Sequence, residues 1–362
     1  MLTVDRIALL VDELFSRGVG SAAALSIGDA GREVERMFRG STRKLPTPGT
    51  PVDAHTWFDV ASLTKPLATV ASAMVLVGEG RLDLDAPIQH WIPEAAATGT
   101  VRQLLGHGAG CAAHVEFFKR LRVGLHPDPR AELVTMAATE PAAVPGTTAV
   151  YSDLGYIMLG AIVERAAGEP LERAFATLVA EPLGLGARYA GDLAISNAAA
   201  TELDDRTGTA AVVEGRVHDE NAWYGGGVCG HAGLFARLDD VARFAAAIVD
   251  TVAGHPRGRL RTDVVKRFLT ESAAPGASWR LGWDTPSATP GVSHAGDRWP
   301  RTGAAGHLGF TGVSLWLDLP RRRWVTLLTN RVHPTRFGDS PEAIKALRRG
   351  VNDAALDLLD RA

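Results

Sequence analysis

Residues 56–65 read Thr-Trp-Phe-Asp-Val-Ala-Ser-Leu-Thr-Lys, a short strand pattern that runs into an apolar helix predicted over 62–77. Three residues separate Ser62 from Lys65, so on a helix the two side chains lie on one face. There the amine can accept the hydroxyl proton and convert Ser62 into a nucleophile. Free N–H groups and the helix dipole at this end favour developing negative charge. Burial is expected to lower the pKa of Lys65, which suits a general base.

A simpler interpretation of these two residues stays open at this point. Ser62 could cap the helix while Lys65 extends its amine to solvent, with no chemistry involved. The chain contains a second Ser-x-x-Lys pattern at Ser41 and Lys44, which serves as a comparison. That pattern lies in a stretch rich in Pro, Gly and Thr, where no helix holds the spacing, so we do not predict a site there.

Two further segments contain residue types that an acyl-transfer site needs. Tyr151-Ser152-Asp153 stands between a Pro-Gly turn and a helix predicted over 154–167, and a tyrosine there can relay a proton to a leaving group. The alternative is a helix capped by Ser152 or Asp153 beside a tyrosine that only packs. Residues 306–312 read Gly-His-Leu-Gly-Phe-Thr-Gly before a strong strand pattern. Glycine in a strand lets a ligand approach the backbone closely.

The composition excludes several classes of protein. Of the 362 residues, 46% are apolar and 22% are charged, as in ordinary soluble globular proteins. The net charge is −3 with acids and bases interleaved, which gives no electrostatic footprint for nucleic acid or an anionic membrane. We expect no membrane segment, because no apolar run approaches spanning length, and no signal peptide, so we predict a cytoplasmic protein. Cys111 and Cys229 are expected to be free buried thiols.

Periodicity predicts an α+β fold with one antiparallel sheet assembled from both ends of the chain. The elements predicted at the two ends are a helix over 1–17, a hairpin of 22–27 with 34–38, strands near 281–283, 313–319 and 324–330, and a final helix from Ser340. Helices dominate between them, including 101–105, 154–167, 171–179 and 239–252. We therefore predict a sheet domain of residues 1–79 and 271–362, flanked by the terminal helices, and an inserted, mainly helical domain over 80–270. The active site would lie in the cleft between them.

In this order, the three segments resemble the motifs of the serine β-lactamase and penicillin-binding protein superfamily. That pattern is S-x-x-K, then Y-x-N or S-D-N, then K-T-G or H-x-G. About ninety residues separate the first two motifs, which is similar to the class C and esterase branch. Supporting phrases lie at 56–65, 80–87, 101–107 and 151–160. The resemblance implies the β-lactamase/transpeptidase-like fold and a serine hydrolase that works through an acyl-enzyme.

The resemblance also implies a role for each residue of the first two motifs. Ser62 would be the nucleophile, Lys65 would tune or deprotonate it, and Tyr151 would be the general acid and base. Asp153 would orient Lys65, but it stands where the superfamily usually has Asn. A carboxylate in that place would pair with Lys65 and keep it protonated, which shifts the role of base toward Tyr151.

In the third motif, His307 and Gly309 would line the edge of the substrate site. The N–H groups of Phe310 and Ser62 would form the oxyanion hole. The β-lactamases proper usually have a cation followed by Thr here, whereas His307-Leu308 offers a titratable imidazole and no hydroxyl. Both departures favour an esterase or amidase over a true β-lactamase.

A glycine-rich stretch over 217–235 admits other functions. His218, Asp219 and His231 could ligate a metal, but their spacing matches no standard site, so neither a metal nor a cofactor is predicted. No Lys-Ser/Thr follows the glycines as in a phosphate-binding loop. The stretch is similar to one in bacterial relatives that act on cell-wall muropeptides. A muropeptide is therefore one candidate substrate, beside a simple ester or another amide.

The predicted function is hydrolysis of a small ester or amide, with ester turnover and little β-lactam hydrolysis. A true β-lactamase or a D-alanyl-D-alanine carboxypeptidase is the alternative among enzymes. A non-catalytic binding or regulatory protein on the same scaffold is the alternative from another class. Ser62, Lys65 and Tyr151 argue against that last reading, whereas Asp153 keeps it open.

Overall fold

The computed structural model describes residues 3–121, 126–191, 194–206, 209–289 and 291–361. The α-helices are α1 (Thr3–Ser16), α2 (Ala71–Gly78), α3 (Ile88–Trp91), α4 (Val101–Leu105), α5 (Phe118–Leu121), α6 (Pro129–Thr139), α7 (Asp153–Ala167), α8 (Leu171–Phe175), α9 (Glu181–Leu183), α10 (Glu220–Tyr224), α11 (Leu238–Val252), α12 (Thr262–Thr270) and α13 (Ser340–Leu359). The strands are β1 (Ala22–Asp29), β2 (Arg32–Gly40), β3 (Phe58–Asp59), β4 (Arg188–Tyr189), β5 (Leu203–Asp204), β6 (Ala211–Val212), β7 (Leu234–Ala236), β8 (Ala304–Leu308), β9 (Ser314–Asp318) and β10 (Arg323–Thr329). The predicted terminal helices and those over 101–105, 154–167 and 239–252 are confirmed, although Met1 and Leu2 lie outside the described residues.

A five-stranded antiparallel sheet is built from both ends of the chain, in the order β2-β1-β10-β9-β8. Ala23 of β1 pairs with Thr329 of β10, residues that are far apart in the sequence. β1 and β2 form the predicted hairpin, in which Ala30 and Gly31 have φ values of 48° and 79° that suit a tight two-residue turn. The predicted α+β fold with an antiparallel sheet is therefore confirmed.

Helices cover both faces of this sheet. α1 and α13 pack against each other on one face, where Ile344, Leu347 and Val351 of the predicted apolar line are buried. α11 lies against β1, β9 and β10 on the opposite face. Pro341 stands in the first turn of α13, where a proline costs no helical hydrogen bond. The apolar area buried between these layers is the main source of the stability of the sheet.

The strand predicted near 281–283 is absent from the structure. Gly282 has a φ of 90°, which interrupts extended backbone, and Asp284 forms only a single bridge, with Gly306. The edge strand is instead β8, which contains the beginning of the predicted Gly-His-Leu-Gly segment. The part predicted to be helical also contains β4 to β7, in small sheets of two and three strands. Strands of two or three residues carry too little alternation to be recognised in a sequence.

The helix that carries Ser62 is less regular than predicted. A 3-10 turn over Ala61–Leu63 passes into a π-helical stretch over Lys65–Val70 and then into α2. Pro66 has no N–H to donate, which favours an irregular helix start. Within the described part of the chain, Ala61–Gly78 is long and apolar enough to cross a membrane, but 83% of it is buried inside the fold. The expectation that no apolar run reaches that length is therefore wrong, and this stretch packs in the protein core.

Candidate active site

Ser62 lies in a strained turn that a buried carboxylate stabilises. The preceding Ala61 has a φ of 46°, a left-handed value that costs a residue with a side chain free energy. Asp59 Oδ1 accepts a hydrogen bond from the Ala61 N–H at 2.8 Å, and Oδ2 accepts one from the His218 N–H at 2.7 Å. Burial raises the pKa of Asp59, although these N–H donors lower it. Asp59 was missed by the sequence analysis, and it connects the nucleophile turn to the segment that contains His218.

The ammonium group of Lys65 is fully buried and contacts the nucleophile. Its Nζ lies 3.0 Å from Ser62 Oγ, 2.7 Å from Asp153 Oδ1 and 3.3 Å from the carbonyl oxygen of His231. Burial alone would lower the pKa of Lys65, but the Asp153 carboxylate, with Tyr151, outweighs burial and raises that pKa above its ordinary value. The expected lowering of this pKa is therefore wrong. The interpretation in which Lys65 extends to solvent is wrong as well.

Asp153 is the first residue of α7, and its two oxygens face different partners. Oδ1 accepts from Lys65, whereas Oδ2 lies 3.3 Å from His114 Nδ1. Burial would raise the pKa of Asp153, but Lys65, His114 and His231 hold it well below its ordinary value. The helix cap is supplied by Ser152, whose Oγ accepts the N–H of Gly155 at 3.0 Å. The capping role considered for this segment thus belongs to Ser152, which leaves Asp153 available to Lys65.

Tyr151 packs among aromatic rings directly above Lys65. The Lys65 Nζ lies 4.8 Å from the centroid of the Tyr151 ring, and the tyrosine hydroxyl also interacts with Ser62. The rings of His107 and Trp279 lie 4.7 Å and 5.0 Å from it, centroid to centroid. Burial raises the pKa of Tyr151, although Lys65 lowers it. The phenol is therefore protonated at rest.

His107 was not singled out in the sequence, and it orients the second motif. Its Nδ1 accepts a hydrogen bond from the Ser152 N–H at 3.1 Å, and its ring contacts Tyr151 and Tyr156. Burial lowers the pKa of His107 well below its ordinary value, and Lys65 adds to the effect. A neutral imidazole can accept this backbone hydrogen bond, whereas an imidazolium cannot.

The third motif places a neutral histidine and a close backbone contact beside Ser62. His307 Nδ1 lies 2.8 Å from the carbonyl oxygen of Leu308, and burial, with Lys65, lowers the pKa of His307 to about 3. The expected titratable imidazole is thus uncharged at neutral pH. A Cβ on Gly309 would lie 2.5 Å from the carbonyl oxygen of Val60. Gly309 therefore permits the strand end to approach the turn that contains Ser62.

The two amides predicted to form an oxyanion hole keep their hydrogen-bonding capacity. Neither the Ser62 N–H nor the Phe310 N–H has a protein acceptor among the described residues. The Phe310 carbonyl oxygen, in contrast, accepts a hydrogen bond from Arg331 Nε at 2.7 Å. The oxyanion hole stays a prediction, and both donors are available for it.

A cavity of about 410 Å³ opens beside the nucleophile. The residues that line it, from the three motifs and from later segments, are Ser62, Tyr151, Trp279, Asp284, His294, His307, Leu308, Gly309, Phe310, Arg331 and Arg348. His307 Nε2 is buried there without a protein partner among the described residues. All of the predicted site residues except Lys65 and Asp153 line this cavity. Lys65 contacts Ser62 directly, and Asp153 contacts Lys65.

Two buried arginines in this cavity were missed by the sequence analysis. Arg331 is 5% exposed and Arg348 is 6% exposed, and neither forms a salt bridge within the described residues. Arg348 donates to the carbonyl oxygens of Gly309 and Val313 at 2.7 Å and 2.8 Å, and its Nε is buried without a partner. Burial lowers the pKa of Arg331 to about 10 and that of Arg348 to about 9. Both guanidinium groups are still charged at neutral pH, so the cavity is positively charged.

A signal for Arg348 was present in the sequence. It stands four residues after Ile344 and three before Val351, so it lies on the apolar face of α13. A charged residue on a buried helix face indicates a paired or functional group. Arg331 is the second residue after β10 and offers no comparable periodicity.

The glycine-rich stretch over 217–235 supports the site through backbone packing. A Cβ on Gly230 would lie 2.1 Å from the carbonyl oxygen of Tyr156, so this glycine lets the stretch pack directly on α7. His231 Nε2 lies 3.0 Å from Asp219 Oδ1, and His218 Nε2 lies 3.0 Å from a carboxylate oxygen of Glu202. In the described residues, no group of three or more His, Cys, Asp and Glu could hold a metal ion.

The two cysteines and the second Ser-x-x-Lys pattern lie outside the site. Cys111 and Cys229 are free and buried, as predicted. Ser41 Oγ donates to the carbonyl oxygen of Arg43 at 2.8 Å, in the loop where no helix brings Lys44 to it.

Comparison with known sequences supports the resemblance over nearly the whole chain. The sequence model of the Beta-lactamase family matches residues 11–348. A protein of Escherichia coli (strain K12) named "Putative D-alanyl-D-alanine carboxypeptidase" is 30% identical over 307 residues, which are 77% of this chain and 70% of that protein. A protein of the same name from Salmonella agona (strain SL483) is 30% identical over 308 residues, again 77% of this chain and 70% of the relative.

Solved structures agree with the fold. The crystal structure of SurE superposes with a TM-score of 0.70 at 26% identity, covering 98% of this chain and 76% of that chain. EstCE1, a hydrolase with promiscuous acyltransferase activity, superposes with a TM-score of 0.72 at 22% identity, covering 96% of this chain and 98% of that one. At that identity the second likeness concerns the fold alone. With the three motifs assembled around one cavity and a family match over residues 11–348, the chain belongs to the β-lactamase family and is a serine hydrolase.

Proposed function

We propose that this enzyme is an amidase of the carboxypeptidase type, which cleaves an amide bond beside a free carboxylate. The single observation that carries the proposal is the pair of buried arginines, Arg331 and Arg348, in the cavity of Ser62. A buried guanidinium without a counter-ion is costly, and a substrate carboxylate would offset that cost. The name of the curated relatives points to the same class, a peptide that ends in D-alanyl-D-alanine. Muropeptides with such an end belong to this class.

The proposed chemistry uses three side chains. Lys65 first releases a proton to solvent, and its neutral amine then accepts the proton of Ser62 Oγ as the oxygen attacks the amide carbon. Tyr151 gives its phenolic proton to the leaving nitrogen and recovers one from Lys65, so that the serine proton in effect leaves with the amine. Water then attacks the acyl-enzyme along the reverse route. The N–H groups of Ser62 and Phe310 would stabilise the oxyanion in both steps.

Hydrolysis of esters is the second candidate, and one feature of the cavity favours it. Phe310 at the cavity is 48% exposed and offers an apolar surface to an acyl chain. An ester releases an oxygen leaving group, which depends less on a proton from Tyr151 than an amide nitrogen does, and it does not depend on Arg331 or Arg348.

The first experiment tests the nucleophile. We expect a fluorophosphonate to form one covalent adduct, detected by intact mass, in wild-type protein and in Ser41→Ala but not in Ser62→Ala. Folded wild-type protein that forms no adduct would refute the acyl-enzyme mechanism and favour the non-catalytic alternative.

The second experiment tests recognition of the carboxylate. We expect a D-alanyl-D-alanine peptide to be cleaved with a kcat/KM at least about tenfold above that of its C-terminal carboxamide, since a charged hydrogen bond contributes roughly 1.5–3 kcal/mol. Arg331→Gln should reduce that ratio. Equal kcat/KM values for the two peptides would show that the enzyme cleaves amides without recognising the carboxylate. Efficient nitrocefin hydrolysis that Ser62→Ala abolishes would instead identify a true β-lactamase.

A further inference from the structure

The carboxylate of Asp153 lies between two bases with very different access to solvent. Its Oδ1 is 2.7 Å from Lys65 Nζ, and its Oδ2 is 3.3 Å from His114 Nδ1. The Lys65 side chain is 0% exposed, whereas that of His114 is 45% exposed. One oxygen therefore contacts the buried Lys65, and the other contacts a histidine that is partly exposed. An Asn at this place, as in the superfamily pattern, could not offer two anionic oxygens.

Two hydrogen bonds hold the loop of His114 against the start of α7. The Asp153 N–H donates to the carbonyl oxygen of Ala113 at 2.8 Å. Ser152 Oγ donates to the carbonyl oxygen of Ala112 at 2.6 Å. The backbone next to His114 is thus held close to Asp153.

The charged groups around His114 are predominantly acidic. Asp153 faces it from α7, Asp219 and Glu220 from the start of α10, and Glu116 from its own loop. The hydrogen bond with Asp153 raises the pKa of His114 most, and partial burial opposes it. The imidazole therefore carries a proton more readily than an ordinary surface histidine.

We propose that His114 is a positioning residue that shares the Asp153 carboxylate with Lys65, so that a proton held by the imidazole lets Lys65 release its own. This inference rests on the acyl-enzyme function proposed above. When the group of Lys65, Asp153 and His114 has lost one proton, that proton is missing from either the amine or the imidazole. Only the first arrangement leaves an amine that can accept the Ser62 proton. The two arrangements contain equal numbers of protons, so their ratio is independent of pH.

The test follows the rate of fluorophosphonate labelling at Ser62 against pH. His114→Gln removes the cation, and we expect the rising limb to move to higher pH, with labelling at pH 7 slower by roughly three- to tenfold. His114→Arg retains a permanent cation and should label within about twofold of wild type. His55→Gln, which removes an exposed imidazole, controls for the loss of a surface histidine.

Repeating the His114→Gln measurement in an Asp153→Asn variant distinguishes this role from a purely structural one. In Asp153→Asn the shared carboxylate is gone, so adding His114→Gln should change the rate by less than about twofold. Equal effects of His114→Gln and His114→Arg, or an undiminished effect of His114→Gln beside Asp153→Asn, would overturn the inference while the proposed hydrolase function stands. A wild-type protein that forms no adduct would overturn both.

Discussion

Three neighbouring side chains differ in protonation before a substrate arrives, and each difference has a local cause. Lys65 keeps its proton because Asp153 faces it, and Tyr151 keeps its own because burial outweighs the effect of Lys65. His307 holds no second proton, because it is buried near that same ammonium. In the proposed mechanism, the acid for the leaving group is therefore ready, whereas the base must first be generated. We expect acylation to become faster as pH rises through neutrality.

The neutral state of His307 links the pH to the stability of the fold. Its pKa is lowered to about 3 in the folded protein, against about 6.5 in an unfolded chain. Below pH 6.5 the unfolded chain binds a proton that the folded protein does not, so the contribution is fully present above 6.5 and is lost as pH falls. His307→Asn should reduce the decline in the free energy of unfolding between pH 6 and 4 by up to about 1.4 kcal/mol per pH unit.

Urea unfolding at several pH values measures this decline. His55→Asn, at an exposed position, is the matched control for the loss of one imidazole. Parallel curves for wild type and His307→Asn would show that the buried imidazole binds its proton in the folded state too.

The sequence indicated Ser62, Lys65 and Asp153 as candidate site residues, but it did not indicate His114. Ser62 and Lys65 are fixed by helical spacing, and the effect of Asp153 on Lys65 followed from its charge alone. His114 lies 39 residues from Asp153, and no local pattern joins the two. The direction in which the pKa of Lys65 is shifted depends on whether burial or pairing with Asp153 has the larger effect. That comparison needs interatomic distances, which the sequence does not contain.

At the scale of secondary-structure elements, the site is the meeting point of a strand end and a strained turn. The residue after β8, Gly309, lies against the carbonyl oxygen of Val60, immediately before the turn of Ala61 and Ser62. The Gly309 N–H donates to the carbonyl oxygen of Val313 at 2.8 Å, which fixes the bend of the strand end. The two elements are packed so closely that an added methyl group at Gly309 would displace one of them.

Replacing this glycine tests the contact. Gly309→Ala places a Cβ 2.5 Å from the carbonyl oxygen of Val60, so the strand end must shift away from Ser62. We expect a loss of about 1–3 kcal/mol in the free energy of unfolding and slower fluorophosphonate labelling of the folded protein.

Gly155→Ala in α7 is the matched control, because its Cβ would lie at an ordinary 3.4 Å from Leu104. An alanine in a helix is favoured by up to about 1 kcal/mol over glycine, so this variant should be at least as stable as wild type. If Gly309→Ala matches it in stability and in labelling rate, the strand end does not determine the position of Ser62.

Long elements were predictable because they repeat one pattern many times. α13 repeats its apolar spacing over Ser340–Leu359, and β10 is rich in apolar residues and buried from Trp324 to Thr329. The strand predicted near 281–283 was wrong because a glycine with positive φ cannot be recognised from its neighbours. The 3-10 and π-helical start of the Ser62 helix was likewise invisible, since tertiary contacts choose among helix types that share nearly one periodicity.

At the scale of the whole molecule, the site depends on the packing of distant parts of the chain. α13 lies against α1 on the outer face of the sheet, yet its Arg348 reaches through to the strand end beside Ser62. The predicted sheet from the two ends is confirmed, whereas the boundaries of the two domains stay predictions, as does the cytoplasmic location.

Truncating Val351 tests how much the packing of α13 contributes to the stability of the fold. This side chain is 0% exposed on α13, so Val351→Ala should lower the free energy of unfolding by about 2 kcal/mol through the lost burial and the cavity that remains. The labelling rate of the folded protein should stay unchanged, because Val351 does not line the cavity. The exposed Glu342→Ala on the same helix is the control. A slower rate at full folding would mean that α13 transmits strain to Ser62.

The pairing of β1 with β10 has a consequence for biosynthesis. A ribosome that adds roughly 5–20 residues per second needs about 15–60 s to proceed from Ala23 to its partner Thr329. During that time the buried, apolar β1 has only β2 beside it, and its other edge is open to any extended segment nearby. The nucleophile emerges early in the same interval, but Gly309 and Arg348 emerge only at its end or after it. The nascent chain is therefore inactive and prone to aggregate until almost all of it has been translated, and a chaperone that covers β1 would improve the yield of active enzyme.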